Sequence, residues 1–280
     1  MNPASDLGIF VISAAAGLIG ALAGVGGGIL VIPALTIGFG VDIHLAVGAS
    51  IVSVIATSSG AAAAYVRDRL TDMRVGMFLE LATTTGAVCG ALLAAVVAPA
   101  FLYVLLGIVL LFSAAMQVGR LGEETVPELP ASGLTVRLRL SSSYPDRQSG
   151  REVQYAARRV PLGFAMMWIA GVVSGLLGIG SGVLKVLAMD VAMRLPMKVS
   201  SATSNFMIGV TAAASAGIYL SRGDVDPRIA APVALGVLTG AILGARLLAH
   251  ITNRSVRLIL LPVLVAVGIE TIGRGLGFGL

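Results

Sequence analysis

Charged residues are scarce in this 280-residue chain, at 12%. A soluble domain carries about 25%, because its surface must face water, so so few charges cannot clothe a water-soluble surface. Aromatic residues are equally thin, at 5%. Together with basic residues that cluster between apolar blocks, this excludes a nucleic-acid footprint despite a net charge of +5. The one cysteine, Cys89, lies within an apolar segment and can form no internal disulfide. Only two histidines occur, His44 and His250, both near block ends, and no Cys/His/Asp cluster offers a metal site. No G-x-x-x-x-G-K-[ST] phosphate loop is present, so the chain cannot itself drive work by ATP hydrolysis. No cofactor is expected. The N-terminus lacks a basic n-region and a clear cleavage site, so the first apolar block is read as retained.

Apolar residues dominate instead, at 57%, and between Leu7 and Val41 no charged side chain occurs. A membrane span needs roughly 20 apolar residues. Strand-length alternation is absent from these blocks, and lipid offers no partner to unpaired backbone groups, so the spans must be helices. Eight apolar blocks can be marked, at 7–41, 44–66, 75–98, 100–118, 161–193, 199–221, 229–250 and 255–273. The expected fold is an all-α, polytopic transmembrane bundle in a multi-pass plasma (inner) membrane protein. Its expected segments are a first repeat over 1–118, a solvated loop over 119–160 and a second repeat over 161–280. Gly119–Arg159 holds seven arginines and five acids. Within it, Leu134–Leu140 alternates like a strand, and Tyr144-Pro145-Asp146 is placed to turn a small hairpin.

The two halves match. An offset of 154 pairs Ala16–Ala95 with Ala170–Ala249 without a gap, with identity at 22 of 80 positions. Several identities lie outside the Ala/Gly/Leu background: Ser50/Ser204, Thr57/Thr211, Tyr65/Tyr219, Asp72/Asp226 and Arg74/Arg228. Such duplication is typical of secondary transporters, with the substrate site at the repeat interface. The first block of each half is too long for one span and too short for two spans and a loop. Each also carries a glycine cluster, Gly24-Val-Gly-Gly-Gly28 and Gly178-Ile-Gly-Ser-Gly182. Glycine costs about 1 kcal/mol relative to alanine inside a helix, so these clusters predict broken or re-entrant helix pairs. Close helix packing is the plainer alternative.

Charge then sets topology. With re-entrant first blocks the repeats are inverted, and the loops 66–74, 119–160, 193–198 and 251–257 share one side with 14 Lys/Arg. The other side has only Arg222, Arg228 and Arg274. With single tilted spans the repeats are parallel and the split is 13 to 4. Both place the arginine-rich loop in the cytoplasm.

Three groups carry candidate binding chemistry. Half-helices starting near Gly28 and Gly182 would present unpaired N–H groups and a positive dipole end to an anion. That group comprises Gly26, Gly27 and Gly28 with Gly180, Ser181 and Gly182. Lys185 stands one turn past Gly182 in an otherwise apolar run, where a charge is by default a functional candidate. Its plainer role is snorkelling, or a structural pairing with Asp190 or Glu80. The third group is the polar run Ser200-Ser-Ala-Thr-Ser-Asn205, from which Thr203, Ser204 and Asn205 are selected, with Ser50 opposite. These hydroxyls and amides either line a substrate route or bond to neighbouring helices. Ser181 in Gly-Ser-Gly could also serve as an intramembrane nucleophile, but that needs a histidine or other base within reach.

The run Gly17-Leu-Ile-Gly-Ala-Leu-Ala-Gly-Val-Gly-Gly-Gly-Ile-Leu-Val-Ile-Pro33, followed by Ala46-Val-Gly-Ala-Ser50, resembles the sulfite exporter TauE/SafE family. This is also called the toluene sulfonate uptake permease group. Gly171-Val-Val-Ser-Gly-Leu-Leu-Gly-Ile-Gly-Ser-Gly182 with Ser201-Ala-Thr-Ser204 is similar to the family's second repeat, and Gly236-Val-Leu-Thr-Gly-Ala-Ile-Leu-Gly-Ala-Arg246 to its closing pattern. The resemblance covers nearly the whole chain outside 119–160. It implies a transporter of small sulfur-containing anions, sulfite or organosulfonates. The expected partners are therefore a small anionic substrate and the lipid bilayer, with no nucleic acid; a homo-oligomer stays open. A membrane scaffold without transport is the competing function, and an intramembrane hydrolase the more distant one.

Overall fold

The computed structural model describes residues 3–23, 28–67, 69–119, 133–146, 151–248 and 253–277. The described chain is an α-helical bundle whose outer faces carry apolar side chains. Leu7, Val96, Trp168, Ile169, Leu235 and Ile269 are among the large apolar residues left exposed. Surfaces of this kind suit lipid rather than water. Among the described residues, three helices are long and apolar enough to cross a membrane: Met73–Ala94, Pro99–Met116 and Val160–Leu177.

The first half contains α1 (Pro3–Ala23), α2 (Gly28–Gly38), α3 (Ile43–Arg67), α4 (Met73–Ala94) and α5 (Pro99–Gly119). After a short α6 (Leu134–Arg137) and the strands β1 (Ser141–Asp146) and β2 (Arg151–Ala156), the second half has α7 (Val160–Leu177) and α8 (Gly182–Leu187). A π-helical turn, Ala188–Ala192, extends α8, and α9 (Met197–Ser221), α10 (Pro227–Leu248) and α11 (Asn253–Gly275) follow. Two of the long helices start on the same device. Asp72 accepts from the backbone N–H groups of Arg74 and Val75 at 3.1 and 3.0 Å, and Asp226 accepts from that of Arg228 at 2.8 Å. Each carboxylate satisfies amides that a helix start leaves orphaned. The duplicated Asp and Arg pairs are thus helix starts.

The helices pair across the halves: α1 with α10, α4 with α7, α3 with α9 and α5 with α11. Under the 154-residue offset, α1–α10 and α4–α7 are one contact met twice. Both are backbone-close. A Cβ on Gly86 or Gly90 would strike the carbonyls of Trp168 or Val172, and one on Gly236 or Gly240 those of Phe10 or Ala14. Small residues let membrane helices approach this closely. In both pairs residue numbers rise together, so the helices run parallel. The α3–α9 pair does the opposite. Gly48 lies against Asp224, whereas Gly209 lies against Ser58 and Asp72 binds Thr203, so these helices are antiparallel.

Each first block enters and returns at one end of the bundle. Gly8 of α1 faces the Phe39 ring just beyond α2, and Gly163 of α7 faces Met193 just beyond the π-helical turn. Because α3 runs from the Phe39 end to the Asp72 end, and Asp72 adjoins the Met193 end through Thr203 and Val199, the two blocks enter from opposite ends. The two pieces of each block are unequal: 21 and 11 residues in the first, and 18 followed by six helical and five π-helical residues in the second.

The expected hairpin forms later than its alternation suggested. Leu134–Arg137 is a helical turn, not a strand. It starts beyond Gly133 at φ +58°, and the Thr135 hydroxyl bonds the Ala157 carbonyl at 2.5 Å. Leu134, Val136 and Leu138 consequently point outward. Tyr144-Pro145-Asp146 lies inside β1, paired antiparallel with Arg151–Val153. That register places Tyr144 and Tyr155 in a core with Val75, Leu79, Met189 and Val199, and Tyr155 donates to Asp72 at 2.8 Å. Burial and the Asp72 carboxylate push the Tyr155 phenol far above its usual range, so it remains the donor.

Candidate functional site

The second helix break and the start of α2 lie at mid-height of the bundle. Gly180 packs against Val54 and Ile208, each the twelfth residue of its 25-residue helix (43 to 54 and 197 to 208). Gly178 at φ +63° and Gly180 at φ +73° occupy a backbone region open to glycine at little cost. Ser181 follows at φ +42°, and its hydroxyl donates to the Ala170 carbonyl at 2.7 Å. That bond ties the break to α7, so Ser181 closes the turn rather than facing a base. Gly26 and Gly27 lie outside the described residues. Gly28, which starts α2, sits beside Ser50, Val54 and Ile179, so the start of α2 meets the second break.

One hydroxyl holds that meeting point. Ser50 Oγ lies 3.1 Å from the Gly28 carbonyl and 3.0 Å from the Gly178 carbonyl, bridging both halves. Its counterpart Ser204 repeats the first of these bonds, donating to Gly182 O at 3.2 Å. Carbonyls left at the C-terminal end of a broken helix are costly in a membrane unless something satisfies them. Ser50 does this for Gly178, beyond the end of α7, while the bonds of Ser50 and Ser204 to Gly28 and Gly182 pin the start of each following arm.

The charged centre lies next to the second break. Lys185 is fully buried, and its Nζ reaches Thr211 Oγ1 at 2.5 Å. Thr211 lies 2.7 Å from Glu80 Oε1, to which Thr84 also donates at 3.0 Å. A chain of polar contacts therefore runs from α8 through α9 to α4. Glu80 is 8% exposed, and its second oxygen, Oε2, is buried without a hydrogen-bond partner. The counterparts of Lys185 and Glu80 under the offset are Val31 and Ala234. The charges are thus confined to one of two otherwise equivalent places.

Two selected residues stand apart. Thr203 Oγ1 accepts from the Asp72 backbone N–H at 3.0 Å and anchors the α3–α4 connection. Asn205 bonds back to Ser201 O at 2.9 Å within its own helix. Sequence reasoning treated Glu80 only as a structural partner and did not single out Thr211, which joins it to Lys185 here, or Thr84, which donates to it. The signal was present, because Glu80 is the only acid in the apolar block 75–98.

A sequence model of the family "Sulfite exporter TauE/SafE" matches residues 9–271. The chain is 26% identical over 276 residues to the "Probable membrane transporter protein YunE" of Bacillus subtilis (strain 168), covering 96% of this chain and 97% of that protein. It is 28% identical over 231 residues to the "Probable membrane transporter protein YdhB" of the same organism, covering 82% and 85%. No solved structure matches.

Proposed function

The chain belongs to the sulfite exporter TauE/SafE family, and from that premise we propose that it is a secondary transporter of a small anion, with Lys185 as the anion-binding charge. The observation that carries this is a fully buried ammonium beside the second helix break at mid-height. Ionisable side chains at membrane depth are costly to bury even where, as here, a carboxylate stands one hydroxyl away, and they characteristically mark substrate or ion paths. Sulfite and organosulfonates are the proposed substrate class. They present several acceptor oxygens to one ammonium and the hydroxyls around it. Ser50, Gly28, Gly180, Gly182 and Ser204 support the site by holding the breaks in register.

The same proposal treats the halves as two inverted copies of one unit, with transport by alternating exposure of the shared centre. The antiparallel α3–α9 pair and the first blocks entering from opposite ends support this. It also places the hairpin end in the cytoplasm of a plasma-membrane protein. The described basic residues of 66–74, 133–160 and 193–198 belong to that end. At the opposite end, Arg222 is bound to Asp224 and the Ala91 carbonyl, and Arg274 to Glu270 and the Thr36 carbonyl.

Uptake of radiolabelled sulfite and methanesulfonate into proteoliposomes, compared with empty vesicles, tests transport. Folded protein that carries no anion would favour a scaffold. Exposed Ser142, changed to Cys in a Cys89→Ala background, should resist an impermeant thiol reagent in intact cells. Labelling there would reverse the orientation.

A further inference from the structure

We infer that Glu80 is the coupling residue of the site: it takes up one proton when a monoanion occupies Lys185, so anion and proton travel together. This inference rests on the transport reading above. Lys185 and Glu80 are joined through the Thr211 hydroxyl, so the centre by itself combines one basic and one acidic group and is neutral overall. A monoanion docked on Lys185 would leave a net negative charge in a site where both groups are buried. Buried charge without compensation is strongly disfavoured. A proton on the carboxylate restores neutrality. The balance is simple: the carboxylate oxygen forms an O–H bond with a proton from the side of the membrane that supplies the anion. It releases that proton where the anion leaves.

Three observations single out Glu80 as the acceptor. Its Oε2 is buried and unpartnered, so an oxygen is free to receive the proton. Its Oε1 already holds Thr211 and Thr84, which keeps the side chain in place while Oε2 changes state. Lys185 lies close enough for an incoming anion to compete with the carboxylate for it, through the shared Thr211 hydroxyl. A metal cation would fit this centre poorly, because it would have to sit beside an ammonium.

Few other titratable groups face this carboxylate. Helix α7, packed along α4, has no titratable side chain between Val160 and Leu177. Helix α9 has Lys198 in its first turn and Tyr219 near its last, well away along the axis from Thr211. Helix α8 contributes Lys185, and the following π-helical turn contributes Asp190, five residues further on. On α4 itself, Arg74 lies at the first turn and Cys89 two turns beyond Glu80.

The test uses the full chain in proteoliposomes with radiolabelled methanesulfonate and an entrapped pH dye. This anion stays ionised across the working range, so any proton movement belongs to the protein. Wild type should carry about one proton per anion, and an inside-alkaline gradient of one pH unit should accumulate methanesulfonate about tenfold. In Glu80→Gln, the protons moved per anion in the remaining flux should fall towards zero, and gradient-driven accumulation should disappear. Wild-type flux without proton movement, or full gradient-driven accumulation by the variant, would overturn the inference while leaving transport intact. If sulfite and methanesulfonate both fail to move, the transport reading falls, and this inference with it.

Discussion

The arm after the first break, Gly28–Gly38, and the arm after the second, Gly182–Ala192, have the same length and the same serine bond at their first glycine. Beyond that they diverge. The first arm is uncharged, contains Pro33 and stays α-helical. The second carries Lys185 and finishes in a π-helical turn, a feature that often accompanies functional sites. Under the 154-residue offset the two arms thus share their starting glycine and its serine bond and differ in charge, and the proposed function rests on that difference.

Moving the charge breaks this comparison most directly. Lys185→Met should weaken anion binding by roughly 100-fold or more, since truncating one side of a buried charge contact costs about 3 kcal/mol. Lys185→Arg should keep part of the affinity. Isothermal titration of the purified protein with sulfite and methanesulfonate reads both; wild-type affinity in the methionine variant would make Lys185 a tolerated structural charge. The reciprocal change, Val31→Lys, plants an ammonium at the equivalent buried place, where Ala234 stands instead of a carboxylate. It should lower stability by about 2.5–3.5 kcal/mol, visible as a fall in Tm. An unchanged Tm would mean that the first arm also has a home for charge.

The breaks themselves should respond unequally. Gly180→Ala forces a Cβ onto a φ of +73° and towards Ile208 and Val54. The left-handed conformation alone costs about 1–2 kcal/mol, so stability and flux should both fall. Gly28→Ala carries no left-handed penalty, but its Cβ would overlap the Val54 methyl and crowd Ser50 Oγ, so its loss comes from packing alone and is the smaller of the two where backbone conformation dominates. Thermal unfolding of both variants in detergent decides it, and equal losses would place the constraint in packing rather than backbone conformation.

The architecture was largely legible because lipid simplifies the code. Apolar blocks at 44–66 and 75–98 fall within a few residues of Ile43–Arg67 and Met73–Ala94, since charge cannot enter the spans cheaply. The break over Gly178–Ser181 was legible from the repeated glycine cluster, and Lys185 stood out by its isolation in an apolar run. Inverted and parallel arrangements could not be separated, because the charge count fits both; the direction of contact between α3 and α9, on which the proposed inversion leans, exists only in three dimensions. The hairpin was misplaced because Leu134–Leu140 alternates without being buried alternately. Thr203 has a structural partner that its polar run does not reveal. A hydroxyl in a polar run looks the same whether it meets a substrate or, as here, the Asp72 amide.

The smallest expected difference lies between the two serines that match best. Ser50 stands between two carbonyls, Gly28 O in its own half and Gly178 O in the other, whereas Ser204 is bonded to Gly182 O alone. Ser204→Ala removes one hydrogen bond and leaves one carbonyl under-satisfied, at about 1 kcal/mol. Ser50→Ala leaves two carbonyls without their shared donor and removes a polar link between the halves, so it should cost about 1 kcal/mol more. Both side chains are buried, so water offers little compensation. Tm measurements on the two single variants give the difference. A larger loss for Ser50→Ala would mark the Ser50–Gly178 contact as the link that holds one break against the other. Equal losses would mean that the second carbonyl contributes nothing, and that apolar packing of Gly28 against Ile179 alone joins the breaks.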